Sequence, residues 1–220
     1  MPVSWLRFLL LAGALTFLIT LVQFEVLSAA FERLGLSHQA AYTLLAGTLF
    51  GSLFNVPLFR MTAKPPASGI QDQSIWTPFR MPQPPFQGQT VVAINAGGCL
   101  IPVCFSIFLL MRGSLSAAEV LIAVAAVASI AYAFSRPVPG AGVALPIFIA
   151  PVTAALVATV LDYEQRAPLA YVSGTLGVLL GADVLRLGDI RAMRAPLSSI
   201  GGAGTFDGIF IAGLLAVLLT

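Results

Sequence analysis

The stretch LAYVSGTLGVLLGADVLRL, residues 169–187, decides the fold class because it is long and apolar enough to cross a lipid bilayer. A helical crossing needs about 20 residues at ~1.5 Å each to span ~30 Å of hydrocarbon. Its carboxylate, Asp183, is costly to hold there unless it is paired, solvated or neutralised. The stretch IGGAGTFDGIFIAGLLAVLLT, residues 200–220, has the same character and carries Asp207. We predict two neighbouring membrane helices with carboxylates at similar depth.

The composition of the whole chain is that of an integral membrane protein. Hydrophobic residues make up 58% of its 220 residues and charged residues 9%, whereas about a quarter of residues are charged in an average soluble domain. We expect an all-α, polytopic transmembrane helix bundle, one integral membrane domain over residues 1–220 with about seven spans. The apolar windows lie at about residues 5–24, 38–59, 91–111, 117–134, 142–161, 169–187 and 200–220.

The basic residues are distributed unequally between the two sides of this predicted bundle. One side carries Arg7, Arg60, Lys64, Arg80, Arg136, Arg186, Arg191 and Arg194, and the other carries Arg33, Arg112 and Arg166. Loops rich in Lys and Arg stay in the cytoplasm. We therefore expect a multi-pass protein of the cell (inner) membrane with a cytoplasmic N-terminus and with Thr220 outside.

The segment from Arg60 to Thr90, between the second and third predicted spans, is rich in proline and aromatic residues. Dense proline excludes a long helix. The interleaved aromatic residues favour an ordered, extended or hairpin-like flap on the cytoplasmic face, and a proline-rich linker is the alternative. The prolines are at positions 65, 66, 78, 82, 84 and 85, and the aromatic residues are Trp76, Phe79 and Phe86.

Polar residues of several spans converge on the cytoplasmic third of the predicted bundle. Asn55 and Asn95 lie near the cytoplasmic ends of their spans, at the depth of Asp183 and Asp207. Irregular backbone at membrane depth is tolerated only where it is buried in protein or lines a wet cavity. We expect a polar cavity there, under the flap. Gly181, Gly204 and Gly208 belong to small-xxx-small pairs that permit close helix packing.

Each aspartate also has a structural explanation. Arg186 is three residues after Asp183, the spacing of a helical ion pair. Asp207 follows a glycine-rich stretch and could cap a helix N-terminus. His38 is the single histidine, and two carboxylates with amides are a sparse set for a divalent cation, so we expect neither metal nor cofactor. No basic and aromatic array indicates nucleic-acid binding.

Two resemblances to known families rest on particular motifs. The segments 51–57 (GSLFNVP), 137–140 (PVPG), 181–185 (GADVL) and 200–210 (IGGAGTFDGIF) resemble a family of bacterial and archaeal membrane proteins catalogued as domain of unknown function 1614. The resemblance runs from about Ala30 onward and implies a compact polytopic membrane protein. Gly181 to Asp183 is also similar to the Gly-x-Asp core of presenilin-like and preflagellin-peptidase-like intramembrane aspartyl proteases, with Leu180 where the strict motif has glycine.

The protease resemblance implies a second catalytic aspartate on another helix, which here would be Asp207. Two adjacent carboxylates share one proton, so that the charged one activates water and the protonated one polarises the scissile carbonyl. Asn55 or Asn95 could donate to the developing oxyanion. The neighbouring glycines would let a substrate backbone approach. We expect an aspartyl-type protease acting near the cytoplasmic face on a membrane-associated peptide; a small-solute or ion-coupled membrane transporter and a non-catalytic assembly or scaffold subunit are the alternatives. The bilayer is the expected partner, and homo-oligomerisation is left open.

Overall fold

The computed structural model describes residues 13, 16, 24–62, 88–112, 115–138, 142–189, 197–202 and 208–220. The chain divides into two compact units, Met1–Leu45 and Ala46–Thr220. Most of the predicted first span (residues 5–24) and of the flap lies outside the described residues, as do Asp207 and Gly204.

The first unit contains a helix, α1, over residues 24–33 and the beginning of α2 (His38–Gly51). The chain reverses between them at Gly35, whose φ of 79° is the left-handed conformation that glycine adopts without steric cost. Across the turn, Tyr42 donates to Glu25 Oε1 at 3.0 Å and His38 Nδ1 lies 2.6 Å from Glu32 Oε1. The acidic side chains of this unit therefore have polar partners.

Helices dominate the described part of the second unit. They are α3 (Ile101–Met111), α4 (Ala117–Phe134), α5 (Ile149–Leu161), α6 (Arg166–Val178) and α7 (Gly208–Leu219). Two π-helical segments extend this set: π1 (Ala96–Leu100) precedes α3, and π2 (Leu179–Val184) continues α6. The predicted span 117–134 coincides with α4.

Helix α6 is the central element, packed against α3, α4, α5 and α7. Residues 169–175 of this helix are all buried. Small residues such as Gly174 and Gly177 let neighbouring backbones approach, since a Cβ on Gly174 would lie 3.2 Å from Ala212 O. Tyr171 fills the remaining space and meets Phe105 of α3 edge-on, with ring centroids 5.1 Å apart.

Within the described residues, five short strands correct the all-α expectation. β1 (Asn55–Thr62), β2 (Gln89–Asn95) and β5 (Leu197–Ile200) form a sheet in the order β1-β2-β5. β1 pairs antiparallel with β2 and β5 pairs parallel with it. β3 (Arg136–Val138) and β4 (Gly142–Ala144) form a separate antiparallel pair.

The strands overturn the predicted bounds of several spans. Helix α2 ends at Gly51, so the window 38–59 is not one helix, and β2 takes up the start of the window 91–111. The window 142–161 begins with β4, and β5 ends at Ile200, where the last window starts. Pro57 is tolerated because β1 is an edge strand with a register shift between Pro57 and Phe59. Short apolar runs do not distinguish strand from helix, which is why hydropathy alone misassigned them.

Two described helices are long and apolar enough to cross a membrane: α4, and the continuous helical stretch Arg166–Asp189 that contains α6 and π2. They differ in burial. In the second, 61% of the residues in an 18-residue apolar window are buried. In α4 the buried share is 22%, and Leu121 and Ile122 are exposed. Helices α3, α5 and α7 are apolar and shorter. Large apolar side chains therefore point outward as well as inward.

Candidate functional site

The three-stranded sheet brings together Asn55, Asn95 and Ser199. Asn55 of β1 is directly opposite Asn95 of β2. The Asn95 Nδ2 group donates to Asn55 Oδ1 at 3.2 Å and to the carbonyl of Ser52 at 2.7 Å. The Ser199 hydroxyl donates to the same Asn55 oxygen. The predicted convergence of the two asparagines is thus present, with a serine that the sequence argument did not identify.

The two asparagines differ in what their amides can still bind. Asn95 is fully buried, and its Oδ1 accepts from the Gly98 backbone N–H at 2.7 Å, which caps the start of π1. Both of its donors and its oxygen are therefore engaged. Asn55 is half-buried, its Oδ1 accepts two bonds, and its Nδ2 has no hydrogen-bond partner within the residues described. Asn55 is the asparagine with donors available to a ligand.

Glycines allow backbones to cross closely beside this polar cluster. A Cβ on Gly97 would lie 1.9 Å from Thr48 O, and one on Gly98 would lie 1.8 Å from Gly201 O. Gly201 follows β5 and has a φ of 83°, a conformation that L side chains rarely adopt. The end of α2, the start of π1 and the end of β5 are held together at distances that no larger residue permits.

Asp183 lies in π2, within the helical stretch 166–189. The Leu185 N–H donates to Leu180 O, five residues back, at 2.9 Å, which is the wider π-helical turn. Asp183 is half-buried, while Leu180 and Val184 on either side are exposed. Gly181 faces Ala128 of α4, where a Cβ would lie 2.2 Å from the Ala128 carbonyl oxygen. Single π-helical turns occur frequently at functional sites.

Arg186 donates hydrogen bonds to the C-terminal end of α4. Its Nη2 donates to the carbonyls of Tyr132 and Ser135 at 2.7 and 3.0 Å, and its Nε donates to the Ser135 hydroxyl at 3.1 Å. Nη1 contacts Asp189 Oδ2 at 3.1 Å, and the guanidinium lies 4.2 Å from the Tyr132 ring centroid. A cation at a helix C-terminus stabilises the unpaired carbonyls there. Arg186 therefore joins α4 to the end of π2.

The other predicted site residues are placed in part. Gly208 is the first residue of α7, whereas Asp207 and Gly204 lie outside the described residues, as does the distance between the two aspartates. Within the described ranges no three His, Cys, Asp or Glu side chains are grouped to hold a metal ion. The sequence argument did not identify Ser199 or the contacts of Arg186 with α4. Neither residue type carries a distinctive sequence signal, and the hydrogen-bond partners of both lie far along the chain.

These features define a class: a mostly helical protein with two helices long and apolar enough to span a membrane, and with a small three-stranded sheet that carries a cluster of polar side chains. The match to known families is more specific. The chain belongs to the family described as Protein of unknown function (DUF1614), whose model matches residues 49–219. No curated protein and no solved structure matches it. The family resemblance seen in the sequence is confirmed, and the resemblance to aspartyl proteases stays a prediction.

Proposed function

We propose that the protein is a multi-pass protein of the cell (inner) membrane, with its N-terminus in the cytoplasm and Thr220 outside. Two membrane-length helices and the exposed apolar side chains of α4 and α5 support this location, since soluble monomers rarely expose large apolar patches. The eight-to-three distribution of Lys and Arg supports the orientation. On this proposal, α2 and the shorter helices complete a bundle of about seven spans. The sheet of β1, β2 and β5 faces the cytoplasm.

The activity we propose is aspartyl-type cleavage of a membrane-associated peptide, with Asp183 and Asp207 as the dyad. The observation that carries it is a half-buried carboxylate in a π-helical turn of an apolar, membrane-length helix. Single π-helical turns are rare and are found frequently at functional sites. A carboxylate in hydrocarbon is functional by default. The charged member of the pair would activate water, and the protonated member would polarise the scissile carbonyl.

The sheet offers a way to hold the peptide. Within the described ranges β1 pairs on one side only, and most of its residues are exposed, so its outer backbone groups can pair with an added extended chain. A protease requires an extended substrate backbone, and β-strand addition supplies one without a sequence-specific pocket. The Nδ2 group of Asn55, at the start of β1, is the donor we assign to the substrate.

The test compares membranes that contain the wild-type protein, Asp183→Asn or Asp207→Asn. Each change keeps the shape and removes the charge, so both variants should fold with an unchanged melting temperature and both should lose every peptide fragment that depends on the wild-type protein. Glu119→Gln on α4 removes a carboxylate elsewhere and should retain the fragments. Fragments that persist in either aspartate variant, or a proteome that does not differ between membranes with and without the protein, would rule out the dyad.

A non-catalytic assembly subunit is the second candidate, and the hydrogen bonding of Asn95 favours it. All donors and the acceptor of this buried amide serve the chain itself, as in a structural joint. On this reading the aspartate variants leave membrane peptides unchanged and lower the melting temperature. An ion-coupled carrier would instead show altered proton or cation dependence in both variants, with no peptide product.

A further inference from the structure

A groove of about 370 Å³ lies on the surface between α5 and the C-terminal end of α7, and its lining includes neither Asp183 nor a residue of the three-stranded sheet. Val152, Ala155 and Leu156 of α5 form its apolar wall. Thr159, Tyr163 and Arg166 lie toward its other end, where Leu219 precedes Thr220, whose carbonyl accepts a hydrogen bond from Arg166. Val152 and Thr159 are seven residues apart on α5, or roughly 10 Å at 1.5 Å per residue. The groove therefore passes from an apolar wall to a polar, cationic end.

Arg166 is held in a fixed orientation at that end. Its Nε donates to the Thr220 carbonyl and its Nη1 to the Tyr163 carbonyl, each at 2.9 Å. The guanidinium carbon lies 4.0 Å from the Tyr163 ring centroid. In the described part of the chain, Nη2 has no hydrogen-bond partner. Two carboxylates precede Arg166 on this loop, and neither forms an ion pair with it. Asp162 uses Oδ1 to accept the Glu164 and Gln165 backbone N–H groups.

We propose that this groove binds a phospholipid, with an acyl chain between α5 and α7 and the phosphate accepting hydrogen bonds from Nη2 of Arg166. The inference rests on the proposed membrane location and adds a specific lipid site to it. Arginine pairs with phosphate through directed N–H donors, and the positive charge complements the anionic headgroup. Tyrosine and arginine at the end of an apolar wall match the boundary between acyl chains and headgroups.

The lipid fits the groove better than a peptide or a free anion does. A peptide backbone needs partners for its N–H and C=O groups, which an apolar wall does not supply. A free phosphate would use the arginine and leave the wall empty. A phospholipid matches both ends of the groove, and the outward face of α5 already carries large apolar residues, among them Val160, which is 84% exposed.

The test is native mass spectrometry of the full chain in detergent, titrated with phosphatidylglycerol. The wild-type protein should bind one lipid at least tenfold more tightly than any further lipid. Arg166→Gln should weaken that first binding about tenfold, the effect of losing one charge-assisted hydrogen bond. Leu156→Trp fills the groove and should abolish it. Val160→Trp adds the same side chain on the lipid-facing side of α5 and should bind as the wild type does.

Each other outcome overturns a stated part of the proposal. Equal first binding in the wild type and Leu156→Trp would exclude the groove, and unchanged binding by Arg166→Gln would exclude the phosphate contact. Displacement of the lipid by millimolar inorganic phosphate would show an anion site instead. Carbonate extraction of membranes tests the membrane location separately from the lipid site. Release of the protein would refute the membrane location, whereas retention of a protein that binds no lipid tightly would refute only the lipid site.

Discussion

Replacing Asn95 with alanine tests the polar cluster most directly. Asn95 is fully buried and makes three hydrogen bonds, to the Ser52 carbonyl, Asn55 Oδ1 and the Gly98 N–H. At about 1 kcal/mol net for each neutral bond, Asn95→Ala should lower the free energy of unfolding by about 3 kcal/mol, with a further cost for the space that it leaves. For a chain of this size, that loss corresponds to a fall in melting temperature of roughly 6–12 °C.

Thermal unfolding of the purified protein in detergent measures this loss, with Ser106→Ala as the matched control. Ser106 is as buried as Asn95, but its hydroxyl donates to Pro102 O, four residues back in the same helix. Such a local bond contributes little, so we expect a loss below about 1 kcal/mol. If Asn95→Ala and Ser106→Ala melt within 2 °C of each other, a difference of at most about 1 kcal/mol, Asn95 does not stabilise the contacts between β1, β2 and π1 as we infer.

Two further predictions concern packing and orientation. Gly98→Ala should lower the free energy of unfolding by about 3 kcal/mol or more, because its Cβ would lie 1.8 Å from the Gly201 carbonyl oxygen. The control Gly47→Ala meets its nearest atom at 3.9 Å and should leave the melting temperature unchanged. Similar melting temperatures of the two variants would refute the close contact of Gly98 with Gly201. In right-side-out vesicles, an impermeant thiol reagent should label Glu164→Cys and should reach Thr62→Cys only after the vesicles are opened. The reverse pattern would invert the orientation.

The sequence alone predicted the long helices, because an apolar run of this length is recognised from its own residues. Short motifs identified the family. The span predicted at 117–134 coincides with α4, and the window 169–187 lies inside the continuous helix 166–189. A run of this length satisfies its backbone groups internally as a helix, so no distant partner is needed to specify it. The motifs at Gly51, Pro137, Gly181 and Ile200 identified the family that the match over residues 49–219 confirms.

Tertiary structure decided which of the other apolar segments form strands. Residues 55–62, 89–95 and 197–200 are as apolar as their neighbours, and they form strands because each finds a pairing partner far along the chain. The Ser199 to Asn55 hydrogen bond joins residues 144 positions apart. The π-helical turn at Asp183 and the contacts of Arg186 with the end of α4 likewise depend on neighbouring elements. Local sequence records hydrophobicity and propensity, whereas strand pairing and side-chain contacts exist only after distant segments meet.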